Sequence, residues 1–167
     1  MRLGAVAALV AMLVGVTNAG WRTFRSDGVT ARYPPHWFAT TERLTPVTYP
    51  RQAIAIASFP LPTGPAGADG CAPQEALDRL PARGAFVFGW EYGPGFPFGR
   101  PRIAAFPPRP RHFRLAGFAR YECLGPSYVV HFRQAGRYFQ IHVVLGRRAS
   151  AATRRSVLRV LDSIAVS

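Results

Sequence analysis

Carboxylates suited to acid–base chemistry are few in this chain. General acid–base catalysis of hydrolysis typically uses a pair of Asp or Glu side chains at one site. The sequence has only eight acidic residues. Glu75 and Asp78 fall on the exposed side of a short predicted helix, and Glu91 and Glu122 are candidates for pairing with arginine across a sheet. We therefore predict surface and ion-pair roles for them and no catalytic pair.

Nucleophilic chemistry has one candidate, Cys123. A thiol nucleophile needs a base, and His131 is the histidine that could serve it. The alternative is a disulfide with Cys71, the only other cysteine, which would remove the nucleophile. The chain also lacks the G-x-S-x-G turn that presents a catalytic serine. We favour the disulfide and predict that the chain is not an enzyme.

Metal and cofactor sites are equally poorly supported. His131 and His142 are the best pair, since the hairpin register predicted below puts them on one sheet face. A zinc site needs one or two further ligands, and neither C-x-x-C nor H-x-x-x-H spacing occurs. The glycine-rich stretch 93–99 lacks the G-K-[ST] signature and the strand–loop–helix setting of a phosphate-binding loop. We predict no metal and no cofactor, with a weak metal or proton-sensitive contact at the two histidines as the alternative.

Residues 1–19 have the pattern of a signal peptide. Arg2 is followed by an apolar stretch from Leu3 to Val16, and the cleavage triplet Thr17-Asn18-Ala19 has small residues at both ends. The apolar stretch is short for a membrane span. We predict a leader over 1–19, a single domain over 20–167, a secreted or extracytoplasmic location and no stable membrane span after cleavage. The alternative is a leader retained as an anchor.

The predicted export bears on the state of the two cysteines. An oxidising compartment favours a Cys71–Cys123 disulfide, which would close a loop of about fifty residues and add about 3–4 kcal/mol of stability through the unfolded state. The alternative is a pair of buried free thiols. Loop signals beside both cysteines favour the bridge.

The charge is strongly positive. There are 21 basic residues, all of them arginine, and a net charge of +13. Such a charge attracts anionic polymers and surfaces. The arginines are spread singly or in pairs from Arg22 to Arg159 rather than clustered, so we predict no nucleic-acid site. An envelope protein or an anionic polymer is the expected partner.

Hydrophobic alternation and turn residues predict a mixed α+β domain, built as a twisted antiparallel sheet covered by helices. A short helix is predicted from Pro73 and a longer one after Ser150. The predicted strands are Trp21–Arg25, Val29–Tyr33, Ala53–Phe59, Ala85–Tyr92, Phe118–Leu124 and the two arms of Ser127–Leu145.

The late hairpin has the clearest pattern. With Ala135-Gly136 as a two-residue turn, Phe132 faces Phe139, and one face of the hairpin is wholly apolar. The opposite face, which carries both histidines, is predicted to be mixed and partly exposed. We expect the closing helix to cover the apolar face with a stripe formed by Val157, Val160, Leu161 and Ile164.

The Pro-, Gly- and Arg-rich stretch 93–114 is predicted to be a long surface loop. Its aromatic and cationic side chains are the kind that interface cores favour, and proline reduces the entropy lost on ordering. We predict partner binding by Phe96, Phe98, Arg100, Arg102, Arg109 and Arg111. The alternative is that the phenylalanines fold back onto the core.

Three stretches resemble the PsbP-like fold family. They are the first hairpin running into Tyr33-Pro34-Pro35-His36-Trp37, the late hairpin F-R-Q-A-G-R-Y-F-Q-I-H-V-V-L-G, and the closing helix ending Val160-Leu161-Asp162-Ser163-Ile164. The chain is similar to exported actinobacterial members of that group. The resemblance implies an α/β/α sandwich and a non-enzymatic scaffold that docks on larger assemblies. No functional residue of the plant members is matched.

These observations predict an exported, non-catalytic domain that acts as a binding or docking module in the cell envelope or outside the cell. The alternative is a small-molecule carrier that uses the aromatic face of the strand Ala85–Tyr92, formed by Phe86, Phe88 and Trp90. A carrier would have a cavity above that face, whereas a scaffold would fill the space with the closing helix.

Overall fold

The computed structural model describes residues 20–64, 70–93 and 105–167. The predicted leader, residues 1–19, lies outside these ranges. The described chain forms two antiparallel sheets and two helices, so the predicted mixed α+β class is confirmed. The strands are β1 (Arg22–Ser26), β2 (Val29–Tyr33), β3 (Phe38–Ala39), β4 (Arg51–Ala57), β5 (Ala85–Tyr92), β6 (Ala119–Tyr121), β7 (Gly125–Gln134), β8 (Arg137–Leu145) and β9 (Ala165–Val166); the helices are α1 (Gln74–Asp78) and α2 (Ala151–Asp162).

The larger sheet is the centre of the molecule. Its six strands follow the order β3-β4-β5-β8-β7-β6, and a separate three-stranded sheet has the order β1-β2-β9. Every pair of neighbouring strands runs antiparallel. The long strands β5, β7 and β8 lie side by side, which brings the aromatic strand next to the late hairpin.

The register of the late hairpin is as predicted. Phe132 pairs with Phe139, and the turn falls on Ala135 and Gly136. Both turn residues have positive φ, 51° and 72° respectively. Two consecutive left-handed residues are characteristic of a type I′ turn, whose twist matches that of the strands it connects.

One face of the large sheet is covered by α2 together with the three-stranded sheet. The Ser150 hydroxyl accepts a hydrogen bond from the Thr153 N–H and caps the helix, as the sequence predicts. The predicted stripe of Val157, Val160, Leu161 and Ile164 packs in one cluster with Phe132, Phe139, Ile141 and Val143. The closing helix therefore covers the apolar face of the hairpin, as expected.

The other face of the sheet is more buried than the sequence predicts. Ser127 is fully buried, His142 is 2% exposed, and Val144 is also buried, so the prediction of a partly wet face is wrong at these positions. The reason is a second cover formed by α1 and connecting segments, which builds its own apolar cluster around Phe86, Phe88 and Leu124. The alternation of apolar and polar residues in the late hairpin does not show that α1 and the connecting segments cover this face.

Two short strands are absent from the sequence-based prediction. β3 pairs with β4 at the edge of the large sheet, and β9 pairs with β2 directly after α2. Each has two residues, too few to show a periodicity. β9 matters for the fold because it ties the end of α2 to the first hairpin.

Candidate functional site

A cavity of about 240 Å³ lies on the sheet face opposite α2, at the Trp90 end of β5, and it is partly open to solvent. Its lining combines aromatic rings, neutral polar groups, one carboxylate and the two cysteines. The lining residues are Val47, Pro50, Cys71, Trp90, Tyr92, Tyr121, Glu122, Cys123, Gln140 and His142.

Strand alternation and register place the floor of this cavity. Trp90 pairs with Gln140 and Phe88 with His142 across β5 and β8. Since paired residues project from the same side of a sheet, these side chains share one face with Tyr92. The predicted aromatic face of β5 is present, but it differs along its length. All three of Phe86, Phe88 and Trp90 belong to the second apolar cluster, and Trp90 together with Tyr92 also borders the cavity.

The disulfide forms part of the cavity wall. Cys71 and Cys123 are bonded, with their Cα atoms 5.1 Å apart. Cys71 precedes α1 and Cys123 follows β6, so the bond joins the two segments that lie over the second face. Because Cys123 is oxidised, it is not the thiol nucleophile of the considered Cys123–His131 pair.

A chain of hydrogen bonds runs beneath the cavity. The Tyr92 hydroxyl donates to Gln140 Oε1 at 2.8 Å. Gln140 Nε2 then donates to His142 Nε2 at 2.7 Å. This leaves the imidazole proton on His142 Nδ1, which lies 3.1 Å from the Ser127 hydroxyl. The polar groups of the floor thus satisfy one another within the protein.

The floor is electrically neutral around pH 7. Burial lowers the pKa of His142 to about 4, and the neighbouring His131 adds to this effect. Burial likewise lowers the pKa of His131, against a hydrogen bond with Gln140 that raises it. Burial also raises the pKa of Tyr92. Among the described residues that line the cavity, Glu122 is the one with a formal charge at neutral pH.

The two histidines share one sheet face but are not directly opposite each other. His131 pairs with Gln140, and His142 pairs with Val129. Both ring nitrogens of His142 have hydrogen-bonding partners. Within residues 20–64, 70–93 and 105–167, no group of three or more His, Cys, Asp or Glu side chains could hold a metal ion.

A buried ionic cluster lies on the opposite sheet face. Glu91 is buried and accepts two hydrogen bonds from Arg137, each 2.7 Å long, and one of 2.5 Å from Arg51. Arg51 also pairs with Asp27 at 3.1 Å. Burial raises the pKa of Glu91, but the hydrogen bonds and charges of Arg137 and Arg51 outweigh it and leave the pKa below its usual value. The predicted pairing of Glu91 with arginine is confirmed.

The proposed partner-binding residues are only partly within the described chain. Phe96, Phe98, Arg100 and Arg102 lie outside it. Arg109 is half-buried and donates to the backbone oxygens of Asp162 at 2.6 Å and Pro110 at 3.0 Å. Arg111 is exposed.

The phenylalanines of the described part of the loop fold back onto the core. Phe106 packs against Tyr92 and His131, at ring-centroid distances of 5.7 and 5.3 Å. Phe113 packs against Phe132 at 5.4 Å. For these two residues the alternative interpretation of the loop is correct.

The sequence analysis did not identify Tyr121, Glu122 and Gln140 as residues of this cavity. Gln140 is placed beside Trp90 by the pairing of β5 with β8. Tyr121 and Glu122 lie in the segment next to Cys123, which the disulfide joins to the segment that precedes α1. The predicted bridge was the available signal, because it requires the chain near Cys123 to lie close to the chain near Cys71.

Comparisons of the sequence with protein-family models and with curated proteins give no match. In the described part of the chain, no helix has the length and apolar character needed to span a membrane.

Proposed function

We propose that this chain is an exported, non-catalytic domain that binds a small organic molecule in the cavity at the Trp90 end of the sheet. The observation that carries this proposal is the location of the cavity. The carrier hypothesis requires a cavity above the aromatic face, whereas the scaffold hypothesis requires the closing helix to fill that space. The closing helix packs on the opposite face, and a cavity of about 240 Å³ borders Trp90 and Tyr92.

The composition of the cavity supports binding rather than catalysis. Binding sites are mostly apolar with a few placed polar groups, and this lining follows that pattern. The hydroxyl of Tyr92 and the imidazole of His142 are already engaged with Gln140, so their hydrogen-bonding atoms are occupied by the protein. The disulfide is consistent with an extracytoplasmic location, where such bonds persist.

We also propose that the domain has the PsbP-like fold. Its support is the family-like residues of the first hairpin, the late hairpin and the closing helix, in that order along the chain. The arrangement of a central antiparallel sheet with helices on its two faces is compatible with an α/β/α sandwich.

Nuclear magnetic resonance titration with a library of small organic fragments tests the binding proposal. Bound fragments are expected to shift the signals of the Trp90 indole, Tyr121 and Gln140. A Val47→Phe variant places a ring at the cavity edge and should abolish these shifts. The matched control is Ala152→Leu, which narrows a different groove of about 420 Å³ between His36 and α2.

Two results would contradict the proposal. In the first, fragments shift only the signals of residues in the His36 groove. In the second, the signal shifts around Trp90 persist in the Val47→Phe variant. Recovery of the bound fragment unchanged in mass, after prolonged incubation, is the result expected of a non-catalytic site. Turnover of the fragment would contradict that part of the proposal.

A surface formed by Phe118, Tyr128 and Arg154 supports the docking hypothesis. Phe118 is 62% exposed and packs on Tyr128 at a ring-centroid distance of 4.9 Å. Arg154 lies over the same Tyr128 ring at 5.8 Å and donates to its hydroxyl at 3.2 Å. Aromatic residues and arginine are enriched at the cores of interfaces. We propose this surface as the second candidate, with an anionic polymer as its partner.

Titration with poly-L-glutamate at two salt concentrations tests the second candidate. Phe118→Ser and Arg154→Ala should each weaken binding more than Arg25→Ala, which removes one positive charge from an exposed position on β1. Equal losses for Arg154→Ala and Arg25→Ala, with none for Phe118→Ser, would show that net charge alone attracts the polymer.

A further inference from the structure

We infer that the ligand of the cavity is a small organic cation with a substituted ammonium group. This inference rests on the proposed function and specifies its ligand. It is drawn from the aromatic walls, the charge of the lining and the volume of the cavity.

The aromatic walls are held in place by their neighbours. Trp90 and Phe88 form a T-shaped pair at a centroid distance of 4.8 Å, and Tyr121 and His142 form another at 5.1 Å. The Tyr92 hydroxyl is tied to Gln140. Three aromatic side chains that border one small space can attract a cation through the negative potential of their ring faces. Because their positions are fixed before binding, little conformational entropy is lost.

The charge of the lining also favours a cation over an anion. Glu122 is exposed and is one of the lining residues, and it is the acidic one among them. The floor is neutral, and two of its donors are already engaged within the protein: the Tyr92 hydroxyl donates to Gln140, and the Gln140 amide donates to His142. A bound anion would therefore face a carboxylate without a compensating positive charge among the described lining residues.

The cavity has the size of a small molecule. An apolar cavity of about 150 Å³ in another protein accommodates benzene, and this cavity is about 240 Å³. A trimethylammonium group with a short substituent falls in this size class, whereas a peptide or a lipid chain would extend well outside.

The lining of the cavity favours a cation, whereas the net positive charge of the whole molecule repels cations. The net charge of +13 attracts anions. An anion that bound tightly at the cavity would therefore indicate that the overall field, rather than the lining, governs binding. This opposition makes ligand charge a decisive experimental variable.

The test compares three probes of nearly the same shape. Choline carries the cation, 3,3-dimethyl-1-butanol replaces its nitrogen by carbon, and 3,3-dimethylbutanoate carries a carboxylate. Each is titrated into the full mature chain with its disulfide intact, and dissociation constants are measured from signals around Trp90. Choline is expected to bind about three- to tenfold more tightly than the alcohol, and the carboxylate most weakly.

Matched variants separate the contribution of the lining from that of net charge. Glu122→Gln should weaken choline binding severalfold and leave the alcohol unchanged. Asp27→Asn removes the same charge from a turn that lies away from the cavity lining, and asparagine tolerates the left-handed conformation found there. It should leave choline binding unchanged. Tyr121→Leu removes one ring of the wall and should reduce the advantage of choline over the alcohol.

The outcomes distinguish failure of this inference from failure of the proposed function. If the alcohol or the carboxylate binds at least as tightly as choline at Trp90, the cation assignment is overturned and the binding proposal stands. If neither these probes nor the fragment library shifts signals around Trp90, both are overturned. Equal weakening by Glu122→Gln and Asp27→Asn would assign the cation preference to net charge and overturn the role of the lining.

Discussion

His142 is an ionisable side chain that the fold keeps in its neutral form. Its two ring nitrogens are engaged by Ser127 and Gln140, and the ring is buried against Tyr121. The sequence identified the residue and its face of the hairpin correctly. It could not indicate the burial, because the residues that cover the ring belong to a segment outside the hairpin.

This burial predicts a specific loss of stability in mild acid. The pKa of His142 falls from an ordinary value of 6.5 to about 4 on folding, so between these two pH values the unfolded state binds a proton that the folded state does not. The free energy of unfolding should therefore fall as pH drops from about 6.5 to about 4, by about 3 kcal/mol at most. Urea denaturation at a series of pH values measures this.

A matched pair of variants isolates the contribution of His142. In His142→Gln the decrease between pH 6.5 and 4 should be smaller than in the wild type, whatever the stability of the variant at pH 7. His36→Gln, at an exposed position, should keep the full decrease. An unchanged pH dependence in His142→Gln would contradict the assignment.

The buried ion pair of Glu91 with Arg137 predicts a loss of stability when the carboxylate is removed. Its carboxylate is buried and joins Arg137 and Arg51. Glu91→Gln should destabilise the fold by about 2–3 kcal/mol, because it leaves the largely buried Arg137 without its anionic partner. Arg51→Met should cost less than about 1 kcal/mol, since Arg51 is half-exposed and Glu91 keeps Arg137. Equal losses in chemical denaturation would contradict this ranking.

At the scale of elements, the late hairpin was the most predictable part of the chain. Its alternation and its turn each specify the same register, and a slip by one residue would reverse both faces. β3 and β9 were not predictable, because two residues carry no periodicity and their pairing is set by tertiary contacts. The same applies to the second cover of the sheet, whose segments have little regular structure.

The hairpin turn contains a residue poorly suited to it. Ala135 has φ of 51°, a conformation that costs an alanine about 1–2 kcal/mol. Asn-Gly is the preferred pair for this turn, so Ala135→Asn should raise the free energy of unfolding by about 1 kcal/mol. Gly136→Ala, at φ of 72°, should lower it. A loss of stability in Ala135→Asn, measured by urea denaturation, would contradict the turn assignment.

At the scale of the whole molecule, the disulfide links the two segments that complete the cavity. The sequence predicted the cysteine pair from export and cysteine count, and it predicted the aromatic strand from alternation. Together these account for four of the ten lining residues, namely Cys71, Cys123, Trp90 and Tyr92. Val47, Pro50, Tyr121 and Glu122 could not be assigned to the site because their positions depend on the path of segments without a clear periodicity. Gln140 and His142 could not be assigned because the pairing of β5 with β8 is a tertiary contact.

Removing the disulfide tests its contribution to stability and to the site. The double variant Cys71→Ser, Cys123→Ser should lose about 3–4 kcal/mol, since the bond closes a loop with a sequence separation of 52. Signals around Trp90 should broaden or shift, because one wall of the cavity is no longer tethered. Urea denaturation measures the loss of stability, and the resonance spectrum measures the change at the cavity. An unchanged spectrum would show that the cavity wall keeps its position without the disulfide.

Since both cysteines border the cavity, an occupant and a reducing agent would compete for the same approach to the sulfur atoms. Thiols break disulfides by direct attack on a sulfur, so a molecule seated beside Trp90 should slow the reaction in proportion to its occupancy. The time course of thiol release would then act as a built-in reporter. Compounds could be ranked by the protection they confer, with no label attached.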